Sequence, residues 1–427
     1  MSSSTTRWTV RPSSLRAARL RPPVSKSDAQ RALVLAHILR RPDWVDLGSD
    51  EGELPSDVQA LNQGLHQLAR AETGTQDIDC RDGGAPFRLL LGQAAATPGA
   101  HVLFRGTPRL GERPHGPLMD SLRGTLGPAG LVIREGAPWP LELRAPANTQ
   151  AAEPVFRVAA AESSQFASSL VLAAAALYRR EGRAWTVELD GPVASEGYLG
   201  LTLTWLLRTG FTVERQGHAL SVTGWREPPS PPLIPGDWSS LGYLTLVAWR
   251  TGGTVLKADP EAAHPDRAIL RVLGEVGLTV REVEKGELSI TGAPVRGFTV
   301  SGHECPDLLP TLAVLACVLP GESRLQAVEI LKAKESDRLT GILELCATAG
   351  ATTAREGGTL VIRPPAKVRA ELAMDSHGDH RLAMSAATLA VLSGSELSLT
   401  GPECVSKSFP GFWRQLEAAG VTTVSGG

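Results

Sequence analysis

The chain has 427 residues and 42% hydrophobic content, enough to build two or three domains around buried cores. Lys plus Arg number 43 against 45 Asp plus Glu, a net charge of -2 that points to neither nucleic acid nor a membrane surface, so any basic site must be local. Five cysteines, Cys80, Cys305, Cys317, Cys346 and Cys404, are odd in number, widely spread and free of C-x-x-C spacing, which argues against a disulfide framework or zinc knuckle and for reduced thiols in a cytoplasmic protein.

The N-terminus is Ser- and Arg-rich with no acid before Asp28, a composition that also suits a transit peptide. Trp8-Thr9-Val10 already alternates like a strand, and the first polar cluster arrives by Lys26, so the segment reads as part of the fold. The longest apolar runs, residues 170–177 and 312–319, fall well short of the roughly 20 residues that a membrane helix requires.

Along the chain a module recurs: an amphipathic helix, a glycine, then two short strands around a polar turn. Residues 119–130 lead to strands at 131–133 and 141–143, and residues 201–210 to strands at 211–213 and 220–222. Residues 269–277 lead to 278–280 and 288–290, and residues 342–350 to 351–353 and 360–362. Weaker copies lie at 58–75 and 412–421. The glycine closing each helix fits a left-handed C-cap, and the alternating pairs fit half-buried antiparallel strands. Six such modules, with a second helix between them, predict an α/β protein built by repetition. The proline-rich stretch 227–232 falls between the third and fourth, which predicts two lobes with a small-molecule cleft between them.

Short polar clusters open the apolar runs: Ser25-Lys26-Ser27, Asp82-Gly83-Gly84, Glu112-Arg113-Pro114, Ser163-Ser164-Gln165, Lys334-Glu335-Ser336-Asp337-Arg338, Asp379-His380-Arg381 and Ser406-Lys407-Ser408. Most bear a Lys or Arg, and the exposed N–H groups at a helix start attract phosphate or carboxylate. Together they describe a distributed anion site. Any one of them alone reads as a solvated helix start. Within them Asp337 reads as a helix-start residue and Asp379 as an orienter of His380 or an arginine.

In order and type these clusters resemble the 5-enolpyruvylshikimate-3-phosphate synthase family over essentially the whole chain. The matching residues are Ser25-Lys26-Ser27 with Arg31, Glu112-Arg113-Pro114, Ser163-Ser164-Gln165-Phe166, Lys334 to Arg338, Asp379-His380-Arg381 with Ala383-Met384, and Lys407 with Phe409-Pro410. The resemblance implies a two-lobed inside-out α/β barrel, each lobe three βαβαββ units, with 21–234 as the N-terminal lobe and 1–20 with 235–427 as the C-terminal lobe. It also implies transfer of an enolpyruvyl group from phosphoenolpyruvate to shikimate 3-phosphate, without metal or cofactor, in a protein that suits a monomer.

By the same resemblance, Lys26, Asp82, Gly84, Arg113, Gln165, Arg338, Arg381 and Lys407 surround phosphoenolpyruvate. Lys26, Ser27, Arg31, Ser163, Ser164, Gln165, Ser195, Tyr198, Asp307 and Lys334 hold shikimate 3-phosphate. Glu335 is the expected acid/base at C3 of the enol, Asp307 the base for the 5-hydroxyl and Lys26 an aid to phosphate departure, with His380 and Lys407 as alternates. The loop Asp82-Gly83-Gly84-Ala85-Pro86-Phe87-Arg88 departs from the family's usual Asn-Ala-Gly-Thr, placing a carboxylate where an amide is expected. A UDP-N-acetylglucosamine enolpyruvyl transferase would carry a reactive cysteine just before the Arg-Pro pair, where this chain has Leu110-Gly111-Glu112. A non-catalytic anion-binding relative is the third alternative.

Overall fold

The computed structural model describes residues 6–47, 54–71, 74–136, 139–148, 151–332 and 334–426. They fall into two compact units. One comprises Lys26–Leu47 and Ser56–Ile234, the other the described residues of Met1–Ser25, Gly48–Pro55 and Pro235–Gly427.

Each unit is built by repeating one module. In the unit of Lys26–Leu47 and Ser56–Ile234, strand Gln76–Asp79, helix Gly84–Ala96, strand His101–Arg105, helix Gly116–Leu126 and strands Val132–Glu135 and Leu141–Arg144 follow in order. The first two strands pair in parallel, and the last strand inserts between the second and third, antiparallel to both. Val155–Ala159, Ser164–Glu181, Trp185–Asp190, Glu196–Arg208, Phe211–Gln216 and Ala219–Trp225 repeat the pattern. A parallel pair needs a helical crossover, whereas the closing pair needs only a tight turn, so the chain spends its helices where the topology demands them.

The other unit contains the same sheet three times, and two of the three borrow a strand from the N-terminus. Arg7–Arg11 lies between Glu396–Thr400 and Thr422–Gly426, antiparallel to both. Arg19–Leu20 runs parallel to Thr254–Val255. The third sheet, Thr299–Ser301, Ser323–Gln326, Thr359–Arg363 and Thr352–Glu356, is continuous in sequence.

Five four-stranded sheets are thus present among the described residues, against six expected modules. Two readings need correction. At 58–75 the helix Ser56–Leu68 forms, but Gln76–Asp79 pairs in parallel with His101–Arg105 and so opens the next module instead of closing this one; residues 72–73 lie outside the described residues. At 412–421 the helix Phe412–Ala418 forms, but only one strand follows, because Arg7–Arg11 occupies the place of its hairpin partner. The predicted C-cap glycines do adopt the left-handed conformation, with φ of 104° at Gly130, 90° at Gly210, 98° at Gly277 and 86° at Gly350. Among the described residues no helix is long and apolar enough to cross a membrane.

The helices that carry the polar clusters run through the unit interiors. Every residue of Gly84–Ala96 except Ala85 is buried, as is every residue of His380–Ser393 except Ser393. Small residues let such helices touch. A Cβ on Gly92 would overlap the Ser169 hydroxyl, which donates to the Arg88 carbonyl at 2.6 Å. Gly92→Ala is therefore expected to destabilise the fold by about 1–3 kcal/mol, the usual cost of overpacking, measurable as a lower urea midpoint. An unchanged midpoint would show that the two helices are not in contact at this position.

Candidate active site

In the unit of Lys26–Leu47 and Ser56–Ile234, the expected residues cluster at helix starts. Lys26 opens helix Lys26–Leu39, and its Nζ lies 3.1 Å from Asp57 Oδ2 at the start of Ser56–Leu68. Both side chains are largely buried, at 14% and 6% exposure, so the pair is a held charge and not a surface contact. Ser163 caps Ser164–Glu181 by accepting from the Gln165 amide at 3.3 Å. Gln165 Oε1 in turn accepts from Arg88 Nη1 at 2.5 Å, while Arg88 Nη2 donates to the Pro114 carbonyl at 2.7 Å. Arg88 thereby ties the loop of Arg113-Pro114 to the start of the serine-rich helix.

Arg113 lies against the first turn of Gly84–Ala96. Its guanidinium occupies the space that a Cβ on Gly84 would need, which explains why glycine stands there. Its Nε is buried without a hydrogen-bond partner among the described residues. A cation at a helix N-terminus meets the positive end of the helix dipole, so an anion bridging the two would relieve both. Asp82 sits in the turn just before this helix, as expected from its place in the loop.

Arg31 differs in emphasis from its expected part in ligand binding. It is buried, and its guanidinium donates to Thr202 Oγ1 at 2.8 Å, the Ser27 carbonyl at 2.7 Å and the Tyr198 carbonyl at 2.8 Å. It fastens helix Lys26–Leu39 to Glu196–Arg208, and burial lowers its pKa to about 10, which leaves it cationic at neutral pH. Ser195, the cap position of Glu196–Arg208, has φ 57° and ψ 49° without glycine's freedom and is buried. Strain of that kind is held where the surrounding structure dictates it, often at functional positions.

The other unit gathers a denser constellation. Arg338, 1% exposed, donates through Nε to Asp379 Oδ2 at 2.7 Å, through Nη1 to Asp307 Oδ1 at 2.9 Å and through Nη2 to Glu335. Asp307 also meets Lys334 Nζ at 3.4 Å and Arg381 Nη2 at 3.1 Å. Lys407 Nζ lies 3.8 Å from Glu335 Oε1. Asp337 caps Arg338–Ala349 through the Thr340 amide at 3.2 Å, the helix-start place read from the sequence, whereas Asp379, read there as an orienter of His380 or an arginine, also caps His380–Ser393 by accepting from the Arg381 amide at 2.9 Å. His380 follows Asp379 directly and is wholly buried.

Electrostatics follow from this packing. Burial works against a charge on Asp307, but Arg381, Lys334 and Arg338 outweigh it and hold the carboxyl well below the usual carboxylate range. Burial likewise lowers the Lys334 pKa, with Asp307 opposing. Arg338 is stabilised as a cation by Asp379, Glu335 and Asp307 despite complete burial. In the unit of Lys26–Leu47 and Ser56–Ile234, His115 accepts at Nδ1 from Arg88 Nε at 3.3 Å and donates from Nε2 to the Leu110 carbonyl at 2.8 Å, the pattern of a neutral imidazole. Burial and the Arg88 charge push its pKa down to about 3. The thiol of Cys80, the cysteine that most closely precedes the Arg113-Pro114 pair in sequence, is buried and pushed up by that burial, leaving it unsuited to act as a reactive nucleophile.

Several participants escaped the sequence reading, Asp57, His115, Ser239 and Asp266, and Ser336, named only as part of its cluster, donates from Oγ to Asp379 Oδ2 at 3.1 Å. Ser56-Asp57 and Asp237-Trp238-Ser239-Ser240 both carry the signal used elsewhere, a polar cluster opening a helix, but neither contains a cation of its own.

His115 sets the sign of a pH effect. Between about 3 and its ordinary value of 6.5 the unfolded chain binds a proton that the folded chain refuses, so stability rises with pH in that window and is lost as pH falls through it. His37, lowered to about 4 by burial, adds in the same direction. Urea midpoints between pH 4 and 7 are expected to climb with pH and to climb less in His115→Gln; a slope unchanged by the substitution counts against the buried neutral imidazole.

The family model described as EPSP synthase (3-phosphoshikimate 1-carboxyvinyltransferase) matches residues 46–416. A 3-phosphoshikimate 1-carboxyvinyltransferase of Aeropyrum pernix is 33% identical, covering 99% of this chain and 98% of its own. One from Methanopyrus kandleri is 30% identical, covering 94% and 95%. The solved EPSP synthase of Acinetobacter baumannii superimposes with a TM-score of 0.74 at 19% identity, covering 99% of this chain and 100% of its own, so the fold is the two-lobed inside-out α/β architecture. The enolpyruvyl transferase NikO of Streptomyces tendae shares that fold at a TM-score of 0.64 and 14% identity. Fold alone therefore leaves the acceptor open, whereas the family match over most of the sequence does not: the chain belongs to the EPSP synthase family.

Proposed function

We propose that the protein transfers the enolpyruvyl group of phosphoenolpyruvate to the 5-hydroxyl of shikimate 3-phosphate and releases inorganic phosphate. The observation that carries this reading is the constellation of partly buried Asp307, Lys334 and Glu335 with buried Arg338 and Arg381, in which carboxylates and cations are packed within ion-pair distance at helix starts. A dianionic donor and a phosphorylated acceptor need that density of cations, and guanidinium forks suit carboxylate and phosphate.

On this reading Lys26, Arg113, Gln165, Arg338, Arg381 and Lys407, with the Asp82 to Gly84 turn, serve the donor. Lys26, Ser27, Arg31, Ser163, Ser164, Gln165, Ser195 and Tyr198, together with Asp307 and Lys334, serve the acceptor. The chain works as a cytoplasmic monomer on these two metabolites.

Addition puts a proton on C3 of the enol while the 5-hydroxyl oxygen bonds to C2. The tetrahedral adduct then loses a C3 proton and phosphate, restoring the double bond. Glu335 handles the C3 proton. Asp307 takes the hydroxyl proton, with His380 and Lys407 as alternates for these transfers and Lys26 assisting the departing phosphate. Asp307 is too strongly cation-paired to be a base by itself. Donor anions that draw Arg381, Lys334 and Arg338 toward themselves raise its proton affinity, so the base becomes competent only when substrate is bound.

Phosphate release from phosphoenolpyruvate is expected with shikimate 3-phosphate and not with UDP-N-acetylglucosamine or with the donor alone; release with the nucleotide sugar, or with neither, overturns the assignment. Glu335→Gln is expected to lower kcat by about 10²- to 10⁴-fold with smaller effects on KM. Gly84→Ala, which must displace Arg113, is expected to lower kcat/KM for phosphoenolpyruvate by about 10- to 100-fold, and unaltered kinetics would remove Arg113 from the donor site. Asp82→Asn is expected to reduce KM for the donor by taking a negative charge out of that turn.

A further inference from the structure

Arg381 has a second set of contacts that the reaction does not use. Helix Trp238–Thr251 begins at Asp237, which accepts from the Ser240 amide at 2.8 Å and the Ser240 hydroxyl at 2.7 Å. Capping thus engages Ser240 and leaves Ser239 for another task. Ser239 Oγ donates to Asp266 Oδ2 at 2.5 Å and accepts from Arg381 Nη2 at 3.3 Å. Ser239 is 5% exposed and Asp266 is 0% exposed, so these contacts are shielded from water.

Asp266 is an expensive residue to keep there. Its Oδ1 is buried without a hydrogen-bond partner among the described residues, so its desolvation is left uncompensated. What it gains is a hold, through Ser239, on the cation that grips Asp307.

We propose that Asp266 and Ser239 form a positioning relay that aims Arg381 at the donor anion and at Asp307. A serine hydroxyl offers one proton and two lone pairs. Ionised Asp266 takes the proton, so a lone pair faces Arg381 Nη2. Protonated Asp266 donates to Oγ instead, and the hydroxyl proton must then turn elsewhere or confront a guanidinium that can only donate. The groups facing Asp266 from the surrounding elements are His264, Arg381, Asp307 and Ser239, with Cys305 close enough to feel its charge. Burial raises the Asp266 pKa and Asp307 adds to it, whereas His264 and Arg381 oppose. Neither Asp266 nor Ser239 is assigned a substrate contact, so both act through Arg381.

The inference rests on the assignment of Arg381 to phosphoenolpyruvate, and the test separates the two. Asp266→Asn and Ser239→Ala are each expected to raise KM for phosphoenolpyruvate about tenfold, with kcat lowered less than about threefold and KM for shikimate 3-phosphate unchanged. Ser239→Thr, which keeps the hydroxyl, should restore the donor KM. The double variant should be no worse than either single one, because both break one chain of contacts. Folded variants with an unchanged donor KM, or losses that multiply in the double variant, overturn the relay. If the unaltered chain fails to turn over the two substrates, the functional reading fails instead, and urea unfolding decides the relay alone. Asp266→Asn and Arg381→Lys must then show a coupling of at least about fivefold in the unfolding equilibrium constant, and independence of the two substitutions defeats it.

Discussion

The burial of Arg338 is the constraint on which the rest of its unit depends. A guanidinium at 1% exposure survives only if its donors are met by charge, and here each of its three nitrogens reaches a carboxylate, on Asp379, Asp307 and Glu335. These come from three stretches of chain far apart in sequence, so satisfying one cation fixes the relative placement of three helix starts. Removing one partner of such a group strands the others, which is why breaking a buried pair costs about 3–5 kcal/mol even where the intact pair adds little net stability. The cluster is therefore weak as a source of stability and strong as a source of geometry.

The same economy explains why the candidate active-site groups also serve the fold. Asp379 caps one helix and anchors the arginine at the start of another. Ser163 caps the helix whose first turn holds Gln165. Arg88, buried between that glutamine, the Pro114 carbonyl and His115, carries the loop of Arg113 to the helix start at Gly84. Helix starts leave N–H groups that want an acceptor, and anions want donors. Repeating a module that ends each parallel strand at a helix start supplies such places many times over, and sequence then has only to add cations.

Much of this was legible from spacing. The helix-glycine-hairpin rhythm predicted four closing hairpins correctly because a left-handed C-cap and two alternating strands leave a local signature. It failed at 58–75 and at 412–421, where strand pairing is decided by distant residues: Gln76–Asp79 belongs to His101–Arg105, and Arg7–Arg11 belongs beside Thr422–Gly426. At the candidate site, clusters carrying a cation announced themselves. Asp57, Ser239 and Asp266 did not, since a lone acid or serine at a helix start reads as an ordinary cap until its partner is known.

The sequence by itself determined the modules, their glycine stops and the cationic helix starts, because each is a matter of neighbours within a turn or two and of period along the chain. The tertiary structure alone decided which charges meet. Lys26 finds Asp57, Arg381 finds Asp307 and Ser239, and Arg338 takes three carboxylates, because ion pairs between buried groups are fixed by how helices pack and which charges must be compensated away from water, and that packing has no echo in local spacing.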